Sequence, residues 1–331
     1  MILGHGDDSY RYEDIRINFS SNIYAHADLS ALKQYLSTQM DVIGRYPEPD
    51  ACSLEAAIAS RWGIGKDCVL VTSGATEAIY LIAQAFGLEK KTYTASFIHP
   101  TFCEYEDACR MYGIETTDMS HGAILWLCNP NNPNGCVFSI AEIWKLADKF
   151  DYVITDQSYE EYTLAPMLTH QDAATSRNIL QLHSLTKTYA VPGLRIGYIT
   201  APPHIIAWLR HYVRPWAVNA LAIEAGKWLI ENNVRALPAL DVYLAETERL
   251  RQRLNEIPGI KAAETHTNFF VAQVSSMTAA ELKCRLAERY HILIRDASNF
   301  KGLTTHHFRV STQSPQENDQ LISAISDIMR Y

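Results

Sequence analysis

The chain has 331 residues, 47% hydrophobic and 20% charged, enough for two domains or one domain with a smaller lobe, which excludes a disordered, collagen-like or disulfide-stapled miniprotein. Its 29 basic residues against 37 acidic give a formal net charge of −8 without a long basic run, which sets nucleic acid aside as a partner. No run approaches the roughly 20 apolar residues of a membrane helix, and residues 1–8 lack the basic and apolar regions of a signal peptide, so the expected setting is the cytoplasm, away from membranes.

Residues 54–62 predict an amphipathic helix, and 68–72 a buried strand ending at Ser73-Gly74, after which a helix starts near Thr76. Three short apolar runs, at 124–128, 152–155 and 178–182, read as interior parallel strands, each ending in polar residues. The alternation, without low-complexity linker or internal repeat, predicts an α/β fold. From Pro238 the pattern changes to a long charged helix over 243–254, a Pro258-Gly259 turn, and strand candidates at 268–272 and 308–311, which together predict a smaller α+β lobe.

The seven cysteines are odd in number and contain no C-x-x-C, so reduced, mostly buried thiols are expected. The twelve histidines contain no H-E-x-x-H, and His306 and His307 would point to opposite faces of a strand, so no metal site is expected. There is no G-x-G-x-x-G after the first strand, no P-loop and no G-x-S-x-G, which disfavours a dehydrogenase, a P-loop enzyme and a serine hydrolase. The strands lead instead into a set of polar tips: Ser73-Gly74-Ala75-Thr76, Asn129-Pro130-Asn131-Asn132-Pro133-Asn134-Gly135, Asp156-Gln157-Ser158-Tyr159 and Ser184-Leu185-Thr186-Lys187. In parallel sheets ligands collect beyond the carboxyl ends of the strands. A polar loop opening a helix for a phosphate, a lysine able to form a Schiff base and an acid able to hold a pyridine protonated are the components of a pyridoxal phosphate site.

The Ser-Leu-Thr-Lys segment with Val191-Pro192-Gly193-Leu194-Arg195-Ile196-Gly197 after it, together with the Asn-Pro-Asn-Asn-Pro-Asn-Gly and Asp-x-x-Tyr segments in the same order, resembles the class I/II aminotransferases of fold type I. The resemblance runs from Asn18 to Val310. It implies an α/β fold with a mostly parallel seven-stranded sheet in a large cofactor-binding domain, residues 30–237, and a smaller α+β domain made of an N-terminal arm, 1–29, and a C-terminal lobe, 238–331. The implied cofactor is pyridoxal 5'-phosphate.

Carried onto this sequence, the resemblance makes Lys187 the Schiff-base lysine and the general base or acid at the substrate α-carbon. Asp156 pairs with the pyridine nitrogen, Asn132 and Tyr159 bond the phenolic oxygen, and Phe102 stacks on the ring. The backbone of Ala75 and Thr76, the hydroxyl of Ser184 and the guanidinium of Arg195 hold the phosphate. Tyr46 reaches the phosphate in a neighbouring subunit, which implies a homodimer. Arg309 grips a substrate carboxylate and the nearby Arg295 a second anionic group such as a phosphate. Asn22, and more weakly His5 and Asn268, stand near the substrate. Within the family, the stretches around 184–195, 214–222 and 292–303 are nearer to the L-threonine-O-3-phosphate decarboxylases, which serve cobalamin biosynthesis, than to the histidinol-phosphate aminotransferases. The expected substrate is therefore a phosphorylated amino compound, with decarboxylation or amino transfer to 2-oxoglutarate decided by which α-carbon bond the arginines set perpendicular to the ring. Two positions and one segment depart from the family pattern: Asn134 replaces a threonine, Gln157 a glutamate, and Asn22-Ile23-Tyr24-Ala25-His26 a different turn.

Overall fold

Four runs of the sequence, Val69–Thr72, Ile124–Cys128, Tyr152–Asp156 and Ile179–His183, are buried almost end to end, as strands covered on both faces must be. The computed structural model describes residues 7–119, 122–232 and 237–330. It joins these strands into a seven-stranded sheet in the spatial order Val69–Thr72, Gly197–Thr200, Ile179–His183, Tyr152–Asp156, Ile124–Cys128, Thr94–Phe97, Glu115–Thr116. Gly197–Thr200 runs antiparallel to both of its neighbours and the other pairs are parallel. The three runs read as interior parallel strands are adjacent in this sheet. The strand expected from residue 178 begins at Ile179; the Asn178 side chain just before it donates to the carbonyls of Ala147 and Phe150 at 2.8 and 2.9 Å.

Register aligns the ends of these strands. Cys128 lies opposite Asp156 and Asp156 opposite Leu182, while across the antiparallel strand Thr72 pairs with Gly197 and His183 with Tyr198. The four polar tips therefore leave the sheet at one edge. Gly197 is required there, since a Cβ would lie 2.7 Å from the His183 carbonyl oxygen and 2.9 Å from the Ala75 nitrogen. The helix Ala75–Leu88 starts at this edge and anchors itself by burying Ala78, Ile79, Ile82, Ala83 and Phe86 against the sheet. Each fully buried large apolar side chain contributes about 1.5–3 kcal/mol.

A second, antiparallel sheet has the order Arg295–Asp296, His307–Ser311, Phe269–Val274, Ile260–Ala262. The helices Leu240–Asn255, Ala279–Tyr290 and Pro315–Ile328 share its core: Leu250, Leu254, Leu282, Leu286, Leu321 and Ile325 meet Phe270, Phe308 and Val310. Near the N-terminus, Ile17–Asn18 pairs in parallel with Ile292–Leu293, and the Phe19 carbonyl accepts the Ser311 N–H and hydroxyl, both at 2.9 Å. This strand delivers Ser20, Ser21 and Asn22 to the edge of the large sheet where the polar tips gather.

All seven cysteines are free, but only Cys68, Cys109 and Cys128 are buried, and Cys136 and Cys284 are exposed. The expectation of mostly buried thiols is corrected accordingly: Cys136 falls on the exposed side of the Asn-Pro turn, and Cys284 on the outer face of an amphipathic helix. Among the described residues, no helix is long and apolar enough to cross a membrane.

Candidate functional site

A cavity of about 250 Å³ opens at the carboxyl edge of the large sheet. Ala75, Thr76, Phe102, Asn132, Asp156, Tyr159, Ser184, Lys187, Arg195 and Arg309 all line it. Lys187 sits in the short helix Leu185–Thr188, where its own carbonyl accepts from the Tyr162 hydroxyl at 2.8 Å. Its Nζ donates to the Ser21 carbonyl at 2.9 Å and lies 5.9 Å from the centroid of the Tyr159 ring. Burial, followed by the positive charges of Arg309 and Arg195, pushes the Lys187 ammonium down from the ordinary 10.5 to about 7. The result is an amine that is substantially unprotonated near neutral pH, as attack on a carbonyl requires.

Asp156 is the last residue of its strand and nearly inaccessible to solvent. Its Oδ1 accepts the Ser158 N–H at 2.9 Å and its Oδ2 the Tyr105 hydroxyl at 2.7 Å, which leaves lone pairs toward the cavity. Asn132 turns its Oδ1 to the Arg309 Nη1, so its Nδ2 is left to donate. The Tyr159 hydroxyl accepts from Asn22 Nδ2 at 3.3 Å; burial raises it to about 12, so it remains a phenol able to donate its own proton.

At the opposite end of the cavity the helix Ala75–Leu88 presents its first N–H groups with no side chain capping them. Gly74 precedes them at φ +84°, and the Arg195 guanidinium packs so closely that a Cβ on residue 74 would lie 2.8 Å from Nη2. Arg195 is itself left-handed, at φ +56°, and among the described contacts its side chain donates only to the Pro192 carbonyl at 3.2 Å. Free amides, a hydroxyl at Ser184 and an arginine suit a phosphate dianion. An acid for the pyridine nitrogen, two donors for a phenolic oxygen, Phe102 on the wall and a neutralised lysine complete the set. The residues present thus fit pyridoxal phosphate.

Arg309 is buried, donates through Nη2 to the Ser20 carbonyl at 2.6 Å, and lies over the Phe269 ring at 5.8 Å; its Nε has no partner. Burial draws its guanidinium down to about 10. Arg295 stands directly opposite it in the small sheet, so both side chains leave one face. Arg295 is not on the cavity wall: its guanidinium donates to the Asp296 carbonyl at 2.6 Å and to Asn299 Oδ1 at 2.7 Å. Asn22 does not line the cavity, and its Nδ2 donates to the Tyr159 hydroxyl. Tyr46 is 85% exposed beside Trp216, away from the cavity of its own chain. Asn268 donates to the Tyr243 hydroxyl inside the small lobe, and His5 lies outside the described residues.

The departures from the family pattern fall clear of the chemistry or are locally compensated. The Gln157 amide donates to the Leu168 carbonyl and to Glu160, and Asn134 Oδ1 closes the turn by accepting from Asn131 and from the Cys136 N–H. The atypical segment after Asn22 is fixed by Gln313, which bonds the Ile23 carbonyl and the Ala25 N–H, each at 2.9 Å; Ile23 itself lines the cavity. Sequence reasoning missed Tyr105, Cys128, Ser158 and the Ser20–Ser21 carbonyls. Tyr105 carried a usable signal, since it lies only three residues after Phe102, at the start of the helix Glu104–Met111.

The sequence pattern of the family described as aminotransferase class I and II matches residues 14–325. The chain is 35% identical to the crystal structure of L-threonine-O-3-phosphate decarboxylase from Porphyromonas gingivalis, covering 96% of this chain and 100% of that one with a TM-score of 0.91. It is 29% identical to a histidinol-phosphate aminotransferase of Caldanaerobacter subterraneus subsp. tengcongensis (86% of this chain, 84% of that protein) and 28% identical to the threonine-phosphate decarboxylase of Salmonella typhimurium (96% and 92%).

Proposed function

The chain belongs to the class I and II aminotransferase family, and from that premise we propose that it decarboxylates a phosphorylated amino acid in the manner of an L-threonine-O-3-phosphate decarboxylase. As a member of this family it is a pyridoxal phosphate-dependent enzyme. When bound, pyridoxal phosphate supplies an aldehyde that captures an amine and a ring that takes up the electron pair released at the substrate α-carbon.

The protein's own residues do the rest. Arg195, Ser184 and the amides of Ala75 and Thr76 hold the cofactor phosphate, and Asp156 holds the proton on the pyridine nitrogen. Asn132 and Tyr159 donate to the phenolic oxygen. The observation that carries the substrate reading is the cross-strand pair of buried guanidinium groups, Arg309 at the cavity and Arg295 beside it, neither matched to a carboxylate among the described residues. Arg309 suits a substrate carboxylate where it stands, and Arg295 would reach a substrate phosphate by releasing Asn299. Arg309, held by Asn132 and Ser20, orients the carboxylate, and Lys187 returns a proton to the α-carbon once carbon dioxide has left. We also propose that residues 30–237 form the cofactor domain and that residues 1–29 with 238–331 form the smaller one. The active species is a homodimer in which Tyr46, exposed on one subunit, reaches the phosphate site of the other.

The test is incubation of the cofactor-loaded protein with L-threonine phosphate in the absence of a keto acid. Release of carbon dioxide and aminopropanol phosphate is the expected result. No release, with amino transfer from histidinol phosphate or glutamate once 2-oxoglutarate is added, would overturn decarboxylation in favour of transamination at the same site.

A further inference from the structure

We propose that Tyr105 is a positioning residue for Asp156, which it holds as an oriented carboxylate against the pyridine nitrogen; this rests on the cavity being the pyridoxal phosphate site. Tyr105 is fully buried, and its hydroxyl donates to Asp156 Oδ2 at 2.7 Å. Its ring cannot drift, because it stacks on Trp126 with centroids 5.3 Å apart and planes at 17°, and packs edge-on to Phe102 at 5.7 Å. One side chain thus fixes both the acid meant for the ring nitrogen and the aromatic meant for the ring face. Burial and the neighbouring Asp156 keep the Tyr105 hydroxyl protonated, so it acts only as donor toward the carboxylate.

The consequence has a definite sign. A buried carboxylate that accepts a hydrogen bond is a weaker base. With the Tyr105 and Ser158 donors in place, Asp156 leaves the shared proton on the pyridine nitrogen and the ring stays cationic. Without the hydroxyl, Asp156 becomes more basic and draws that proton toward itself, so the ring loses positive charge and the nitrogen joined to Lys187 becomes harder to deprotonate.

The variant is Tyr105→Phe, which keeps the ring packing, measured as holoenzyme beside Asp156→Asn and the double variant. Tyr105→Phe is expected to retain cofactor, to raise the pH midpoint of the Lys187-linked absorbance band by about one unit, and to lower kcat about tenfold with KM nearly unchanged. In the Asp156→Asn background the same change is expected to move neither quantity further. An unmoved midpoint in Tyr105→Phe, or an equal additional loss in the double variant, would overturn the proposal while leaving the cofactor site intact. A wild-type protein that takes up no pyridoxal phosphate would overturn the cofactor reading and this inference with it.

Discussion

Replacing Gly74 by alanine separates two effects that meet at one atom. Gly74 sits at φ +84° and ψ 166°, a region essentially reserved for glycine, and forcing alanine there costs about 1–3 kcal/mol of folding free energy. The new Cβ would also stand 2.8 Å from Arg195 Nη2 and 3.3 Å from its Cζ. The far end of an exposed arginine moves aside at little cost to the fold, so this contact destabilises cofactor binding and not the apoprotein. Loss of a charge-assisted hydrogen bond to the phosphate is worth about 1.5–3 kcal/mol, or roughly 10- to 150-fold in Kd. Thermal unfolding of the apoprotein and fluorescence titration with pyridoxal phosphate read the two terms independently. In an Arg195→Ala background the stability loss should persist and the affinity loss should largely vanish. A Gly74→Ala protein that binds pyridoxal phosphate within about twofold of wild type would refute the placement of Arg195 at the phosphate.

Loading of apoprotein with pyridoxal phosphate should accelerate as pH rises to about 7 and then level off, because burial, Arg309 and Arg195 set the Lys187 amine there; a rate that keeps climbing toward the ordinary lysine range would contradict this environment. Arg309→Lys removes the fork that bonds Asn132 and Ser20 at once. KM for L-threonine phosphate should rise about tenfold or more in steady-state assays while the cofactor spectrum is retained. Tyr46→Ala and Lys187→Ala proteins should each be impaired alone but regain activity when mixed and allowed to exchange subunits, since one of the two sites then has both residues. Sedimentation that finds monomers only, or no recovery on mixing, would remove Tyr46 from the site.

The sheet was readable because its strands are short apolar runs closed by polar tips, and the tips carry the candidate cofactor residues for the same reason: a parallel sheet brings their ends to one edge. Gly197–Thr200 was not read as a strand, since its antiparallel insertion depends on the close approach of Gly197 to residues 75 and 183, which no local pattern encodes. Long-range register also hid the relation between Arg295 and Arg309, fourteen positions apart in sequence but directly paired. Nothing in the run Arg295-Asp296-Ala297-Ser298-Asn299 announces that its arginine folds back on Asn299 instead of entering the cavity. The contributions of Ser20 and Ser21 are backbone carbonyls, which residue types do not reveal.

The electrostatics of the cavity distinguish Arg309, which is open to an anionic ligand, from the arginines that serve the fold. Arg210 meets the buried Glu55 carboxylate at 2.8 Å, and Arg249 and Arg251 meet Glu246 and Glu248 on their own helix. Arg309 is more deeply buried than any of these, yet the partners of its nitrogens are an amide oxygen and a carbonyl, and one nitrogen has none. Neutral acceptors orient a guanidinium without cancelling its charge, and a buried charge left uncancelled is costly unless an anion completes it. Lys187 feels that charge: buried, and crowded by Arg309 and Arg195, it gives up its proton more readily. A phosphate on Arg195 and a carboxylate on Arg309 would relieve that crowding, so anion binding and protonation of the lysine are thermodynamically linked. The amine is therefore the better nucleophile before a substrate carboxylate occupies Arg309 and the better proton holder once it does, and that is the order in which carbonyl attack and return of a proton to the α-carbon require it.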